Sequence, residues 1–397
     1  MTQPVEGVHR AIADRSLRWT GSGGAAARRA LDTIIAGTYD VIRVSGSAVG
    51  TAVGLGSTAA GVRRGPGPLS ETRLGSRVQA GVNAVWGDDL EQRANELRIE
   101  MRLRSPEGRS VPLTSGDLAA SFRSARPRVV VLVHGLGQTE SCWLGKGNKR
   151  PVGFWDRLKA DRSWTAVMVR YNSGRHVSEN GAELARLLEQ LSLAWPVPIE
   201  TMALVGASMG GLVIRSACHV GFAAESKWVE AVAQLVTLAS PHLGAPLEKA
   251  ANLVSWGLRF APESRPIADF LNSRSVGIKD LRFGAIVEND WRDAEPDAFL
   301  PNPIGSLPPL EGIDHHFVAA IITSDPTHPL GALVGDLMVR SGSGTGRGRR
   351  RLVEAKEVRV LGGRRHSDLL HDLEVQDQVM TWLNALPRSR GDVGSRR

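Results

Sequence analysis

Apolar and polar residues change their rhythm several times along this chain, and each rhythm predicts an element. Thr33–Val44 and Val78–Trp86 carry apolar residues at helical spacing, separated by the Gly/Ala/Ser-rich stretch Ser45–Pro68. From Glu96 the period drops to two. Leu97, Ile99, Met101 and Leu103 alternate with charged residues, which predicts a half-buried strand with Val111–Thr114 as its hairpin partner. Arg128–Val133 is a continuous apolar run rich in valine, as expected of a strand buried on both faces. Trp164–Tyr171, Thr201–Val205, Val232–Leu238, Phe317–Ile322 and Glu357–Leu361 repeat the theme, and helical spacing returns in Glu179–Leu193, Gly210–Phe222 and Leu369–Leu386. Strands and helices alternating through short connections predict an α/β fold, a mostly parallel sheet covered by helices on both faces.

Two stretches interrupt that alternation. Residues 1–95 read as a helical N-terminal extension ahead of a main domain at 96–397. The extension is expected to pack as an arm over that domain, a weak membrane-surface helix being the alternative. Between Pro246 and Ile313 there is no convincing strand. Ala250–Phe260 and Pro266–Leu271 have helical spacing, and the Pro-rich Leu300–Leu310 closes the stretch. An insertion of this length is usually functional or disordered, and its apolar content speaks against disorder.

The chain has 397 residues, 42% of them apolar. At about 150 residues per domain this allows one large or two ordinary domains. Lysine and arginine exceed aspartate and glutamate by 49 to 41, a net charge of +8. The surplus gathers at Arg347, Arg349–Arg351 and the C-terminal Arg388, Arg390, Arg396 and Arg397. These are expected to be solvated loops and tails. Without interleaved aromatic residues they do not suit single-stranded nucleic acid, and no nucleic-acid partner is expected. An anionic membrane surface is the alternative partner. Cys142 and Cys218 are the only cysteines, which excludes a disulfide scaffold and predicts two free thiols. The first residues lack the apolar core of about 7–15 residues that a signal peptide requires. Thr33–Val62 is broken by Asp40, Arg43 and glycines, and falls short of the ~20 apolar residues of a membrane span. A cytoplasmic location follows as the expectation, with peripheral membrane contact as a variant of it.

Candidate chemistry begins where Thr201–Val205 runs into Gly206-Ala207-Ser208-Met209-Gly210-Gly211 ahead of a helix. A Gly-x-Ser-x-Gly sequence at a strand-to-helix turn places the serine on a bend too tight for side chains two residues away. Ser208 is thereby the candidate nucleophile. Arg128–Val133 ends in His134-Gly135-Leu136-Gly137, a loop whose backbone can face the reaction centre. Acyl chemistry needs two N–H donors for the oxyanion, and those of Leu136 and Met209 are assigned that task. His134 is expected to orient the loop rather than to act as a base.

An activated serine needs a base, and the base needs a carboxylate, each past a late strand. His366 follows Gly362-Gly363-Arg364-Arg365 at a strand end, whereas His371 already lies in a helical pattern, so His366 is the better candidate. For the carboxylate, Asp325 sits in the turn former Ser324-Asp325-Pro326 and Asp336 is flanked by apolar residues. Spacing leaves these two nearly even. Adjacent histidines in Asp314-His315-His316 would point to opposite faces of a strand, which argues against a metal site. No phosphate-binding glycine loop followed by Lys-Ser or Lys-Thr is present, and no cofactor is expected.

With Ser240-Pro241-His242-Leu243-Gly244-Ala245-Pro246, Gly335–Val339 and His366-Ser367-Asp368-Leu369-Leu370 added to Gly206–Gly211 and His134–Gly137, the chain resembles α/β-hydrolase lipases and esterases. It is most similar to bacterial triacylglycerol-lipase-like and GPI-inositol-deacylase-like sequences. The resemblance spans about residues 125–386 and includes Tyr171-Asn172-Ser173-Gly174-Arg175-His176; residues 1–95 lie outside it. Many relatives carry histidine where this chain has Ala207. The resemblance implies an α/β-hydrolase fold with Asp336 as the acid and His366 as the base. It further implies that the insertion at about 247–312 is a lid.

The expected activity is hydrolysis of carboxylic esters of lipid-like or hydrophobic acyl groups through Ser208, His366 and Asp336. Trp256, Leu258 and Phe260 are candidate substrate contacts in the lid, with simple packing on the core as the equal alternative. Acyl transfer by the same residues is one rival. A catalytically silent module that binds a lipid surface or a partner is another. Epoxide chemistry would want aspartate where Ser208 stands.

Overall fold

The computed structural model describes residues 69–145, 152–245, 274–292, 307–325, 335–336, 338–348 and 352–385. Along the chain the main elements are helix α1 (Arg73–Gln92) and strands β1 (Arg102–Arg104), β2 (Ser110–Val111) and β3 (Arg128–Val133), then helix α2 (Phe154–Asp161). Strand β4 (Thr165–Arg170), helix α3 (Val177–Ala194), strand β5 (Thr201–Ala207), helix α4 (Met209–Ala223) and strand β6 (Val232–Leu238) follow. The short helix α5 (Val276–Asp280), strands β7 (Asp314–Ala320) and β8 (Glu357–Leu361), and helix α6 (Leu373–Asn384) complete the order.

The strands form one sheet in the order β2-β1-β4-β3-β5-β6-β7-β8. From β4 to β8 every pairing is parallel, while β1 runs antiparallel to both neighbours. A parallel sheet must be covered on both faces, and the strands are apolar on both. In β3, Val129, Val131 and Val133 face a core shared with Leu184 and Leu188 of α3 and Leu212 and Val213 of α4. Val130 and Leu132 face the opposite core, with Phe154 and Leu158 of α2 and Val375, Val379 and Trp382 of α6. Burial of each such side chain contributes about 1.5–3 kcal/mol. Helix α4 is buried nearly all round from Met209 to Cys218 and is the central helix of its layer.

The alternation that begins at Leu97 becomes sheet only over Arg102–Arg104. Upstream of β1 the backbone is hydrogen-bonded to α1 instead. Asn83 Nδ2 donates to the Leu97 carbonyl at 2.8 Å, and Asn83 Oδ1 accepts the Ile99 N–H at 3.0 Å. Ile99 and Met101 are buried as their period suggests, and Leu97 is exposed. Helix α1 starts on Thr72, whose hydroxyl accepts the Gly75 N–H at 3.0 Å, and it turns inward a stripe of mostly small residues, Ser76, Ala80, Asn83, Ala84 and Gly87. The helical pattern at Thr33–Val44 and the interrupted apolar stretch at Thr33–Val62 lie outside the described residues. Among the described residues, no helix is long and apolar enough to cross a membrane.

Candidate active site

The residue that follows strand β5 takes a backbone conformation that side chains rarely adopt. Ser208 has φ 51° and ψ −121°, between the end of β5 and the first turn of α4. Such a conformation costs on the order of 1–3 kcal/mol and persists only where its surroundings hold it. Here the Ser208 N–H donates to the Leu238 carbonyl at 2.7 Å, and its own carbonyl accepts the Gly211 N–H at 3.0 Å. The flanking glycines are required by space. A Cβ on Gly206 would stand 2.5 Å from the Gly211 nitrogen, and one on Gly210 would stand 2.3 Å from the Val133 carbonyl oxygen.

The register between β3 and β5, which pairs Val133 with Gly206, brings the loop after β3 against this bend. A Cβ on Gly135 would stand 3.1 Å from Ser208 Cβ. The loop's backbone donors are sorted by their partners. Gly135 N–H donates to Gln138 Oε1 at 3.0 Å, and Gly137 N–H donates to Ser173 Oγ at 3.0 Å. The Leu136 N–H between them has no protein acceptor among the described residues, and neither has the N–H of Met209 at the start of α4.

His134 is fully buried and locks the loop from below. Its Nδ1–H donates to the Gly135 carbonyl at 2.8 Å, its Nε2 accepts the Tyr171 N–H at 3.3 Å, and its ring stacks on Tyr171 at 4.4 Å. Tyr171 Oη returns a hydrogen bond to the His134 carbonyl at 2.9 Å. Burial pulls the His134 pKa down to about 4, so the ring is neutral. Past the loop, Glu140 and Arg170 form a buried double hydrogen bond at 2.5 and 2.6 Å. Arg170 also reaches the Ser70 carbonyl at 2.6 Å.

At the far side of the sheet the ends of β7 and β8 are laced together. Ile321 N–H donates to the Leu361 carbonyl at 2.9 Å, and Arg364 N–H to the Ile321 carbonyl at 3.0 Å. This lacing brings His366 to Asp336, with Nδ1–H donating to Oδ2 at 2.8 Å. The other carboxylate oxygen accepts the N–H groups of Met338 at 3.0 Å and Val339 at 2.7 Å. Asp336 is 1% exposed, and Asp325 lies exposed on the surface. A carboxylate with both oxygens engaged holds the imidazole by its Nδ1–H, which leaves Nε2 outside that bond. Trp256, Leu258 and Phe260 lie outside the described residues.

His315 and His316 turn to opposite faces of β7, as their adjacency predicts. His316 stacks on Trp382 of α6 at 4.6 Å, while His315 feels Arg215 and His219 of α4 and is lowered by burial to about 3. Among the described residues no group of three histidine, cysteine, aspartate or glutamate side chains is placed to hold a metal ion. Cys142 and Cys218 are unpaired, and burial pushes the Cys218 thiol up to about 12. Sequence reasoning did not single out Gln138 or Ser173 as loop supports. Ser173 carried the one available signal, since it lies in Tyr171–His176, a motif noted without a task.

Residues 130–378 match the model of the alpha/beta hydrolase family, and the chain belongs to that family. The fold expected from its motifs is borne out. No curated protein matches the chain. Among solved structures it is similar to the Bacillus licheniformis lipase BlEst2 in mature form, at 18% identity and a TM-score of 0.41, over 64% of this chain and 91% of that one. It is similar to Staphylococcus hyicus lipase at 14% identity and a TM-score of 0.37, over 67% and 97%. Lipase 1 from Pelosinus fermentans gives 14% identity and a TM-score of 0.37, over 66% and 99%.

Proposed function

We propose that this protein is a serine hydrolase of carboxylic esters, acting on substrates with hydrophobic acyl groups. Ser208 Oγ attacks the ester carbonyl while His366 Nε2 takes its proton. Asp336 holds the Nδ1–H side of the ring and stabilises the imidazolium that forms. The N–H groups of Leu136 and Met209 receive the oxyanion. His366 then protonates the leaving alcohol, and water attacks the acyl-enzyme by the same relay in reverse.

The observation that carries this reading is the backbone of Ser208, held at φ 51° and ψ −121° beside the glycine loop after β3. A βα turn that only packs has no use for strain on a serine. Support also comes from the hydrogen bond of His366 to the buried Asp336 and from the unengaged N–H groups of Leu136 and Met209. The apolar content of the insertion supports a hydrophobic acyl group. The test is labelling by a fluorophosphonate probe, wild type against Ser208→Ala, followed by p-nitrophenyl esters of increasing chain length. Labelling that depends on Ser208, with turnover favouring longer chains, is the expected result. Labelling that survives the substitution would mean a different nucleophile.

A further inference from the structure

We infer that Ser173 is a positioning residue for the oxyanion loop. The inference rests on the ester-hydrolase reading above and deepens it. The Leu136 N–H can serve an oxyanion only if the backbone on either side of it stays still. On one side Gly135 is tied within the loop by Gln138; on the other Gly137 is tied outside it, by its N–H donating to Ser173 Oγ at 3.0 Å. Ser173 is 2% exposed, so its hydroxyl is shielded from bulk solvent.

The backbone that carries this hydroxyl is fixed on both sides by three hydrogen bonds to its neighbours. Asn172 Nδ2 donates to the Gly87 carbonyl of α1 at 2.9 Å, which anchors the preceding residue to the N-terminal helix. Asn180 of α3, fully buried, donates to the Asn172 carbonyl at 2.9 Å. Gly277 of α5 donates its N–H to the Gly174 carbonyl at 3.0 Å, anchoring the following residue to a segment within the insertion. Helix α1 also approaches the loop directly, since a Cβ on Gly137 would stand 3.4 Å from Ala84 Cβ. Ser173 is therefore where the bracing of α1, α3 and α5 reaches the loop as one hydrogen bond to Gly137.

The experiment compares wild type, Ser173→Ala and Ser173→Thr in the full chain. Readouts are kcat and KM on a p-nitrophenyl ester, inhibition by a boronic acid that adds to Ser208 as a tetrahedral anion, and the thermal midpoint. Ser173→Ala is expected to lower kcat roughly ten- to hundredfold, short of the loss from deleting an oxyanion donor outright. Boronate inhibition should weaken by a similar factor, with KM within about twofold of wild type, because the loop matters only when charge develops. Ser173→Thr, which keeps the hydroxyl, should recover most of both. Should the alanine variant keep wild-type kcat and boronate affinity, or lose activity only in proportion to a fall in thermal midpoint, Ser173 is structural and the inference fails. That failure is distinct from failure of the ester-hydrolase reading. In the latter case wild type itself shows no Ser208-dependent labelling, and both proposals fall.

Discussion

Among the described residues, two histidine–aspartate pairs look alike at first measurement. His366 Nδ1 lies 2.8 Å from Asp336, and His176 Nδ1 lies 3.0 Å from Asp280. Both carboxylates are buried and both rings are partly covered. Their surroundings differ. Asp280 spends its second contact on the N–H of Val177 at 2.8 Å, capping α3, and the His176 ring lies flat on Trp291 at 3.7 Å with 4° between the planes. Trp291 in turn donates to Ser178 Oγ at 2.9 Å. Every one of these contacts ties a segment within the insertion to the start of α3. Asp336 instead turns its second oxygen to two N–H groups of its own turn, at the laced ends of β7 and β8. One pair is a fastening; the other orients a ring on a strand-end loop. A short His–Asp distance alone does not distinguish them.

The sharpest way to break this comparison is to remove each ring. His366→Ala is expected to lower kcat by at least about 10³-fold on a p-nitrophenyl ester, as loss of a general base does. His176→Gln should stay within about threefold, and the opposite ranking in the same assay would reverse the two assignments.

A second test uses pH and histidines that have no carboxylate partner. His134 is depressed to about 4 and His315 to about 3, both by burial. A histidine whose pKa is lower folded than unfolded contributes stability that is fully present above the unfolded value, about 6.5. That contribution is lost as pH falls toward the folded value. The Asp280 carboxyl is raised by burial and works in the opposite sense, disfavouring the folded state once pH exceeds its unfolded value. Urea unfolding at pH 7 and pH 4.5 should show the histidines prevailing, with about 2–3 kcal/mol lost at the lower pH through His134 alone. A His134→Gln chain should show a smaller difference between the two pH values, and an unchanged difference would contradict the burial argument.

The smallest effect belongs to the fastening itself. Asp280→Ala removes the cap on α3 and strands His176, which should cost about 1–3 kcal/mol in unfolding free energy. A chain that unfolds at the wild-type urea concentration would show that the pair holds nothing.

The sheet was legible because its signal is local. Val129–Val133 is apolar without interruption and wholly buried, and Thr201–Val205 meets its Gly-x-Ser-x-Gly at the predicted place. The short helix Phe154–Asp161 escaped because two turns carry too few apolar positions to establish a period. Strand β1 is shorter than the alternation implied because Asn83 of α1 takes the hydrogen bonds that a neighbouring strand would have taken. Such a competition between distant segments leaves no periodic trace. The same holds for Asp280 with His176, 104 residues apart, and for Ser173 with Gly137. Asp336 could not be chosen over Asp325 by spacing, since what separates them is burial and a hydrogen bond to His366, both products of the folded chain.

Where α1 crosses the loop after β4, two glycines meet with nothing between them. A Cβ on Gly174 would stand 2.0 Å from the Asn83 carbonyl oxygen, and one on Gly87 would stand 2.0 Å from Asn172 Oδ1. Neither position can accept even a methyl group unless the helix lifts away. Over evolutionary time the two sites are therefore locked to each other. A lineage that changed one would have to rebuild the whole crossing, and with it the seat of Ser173.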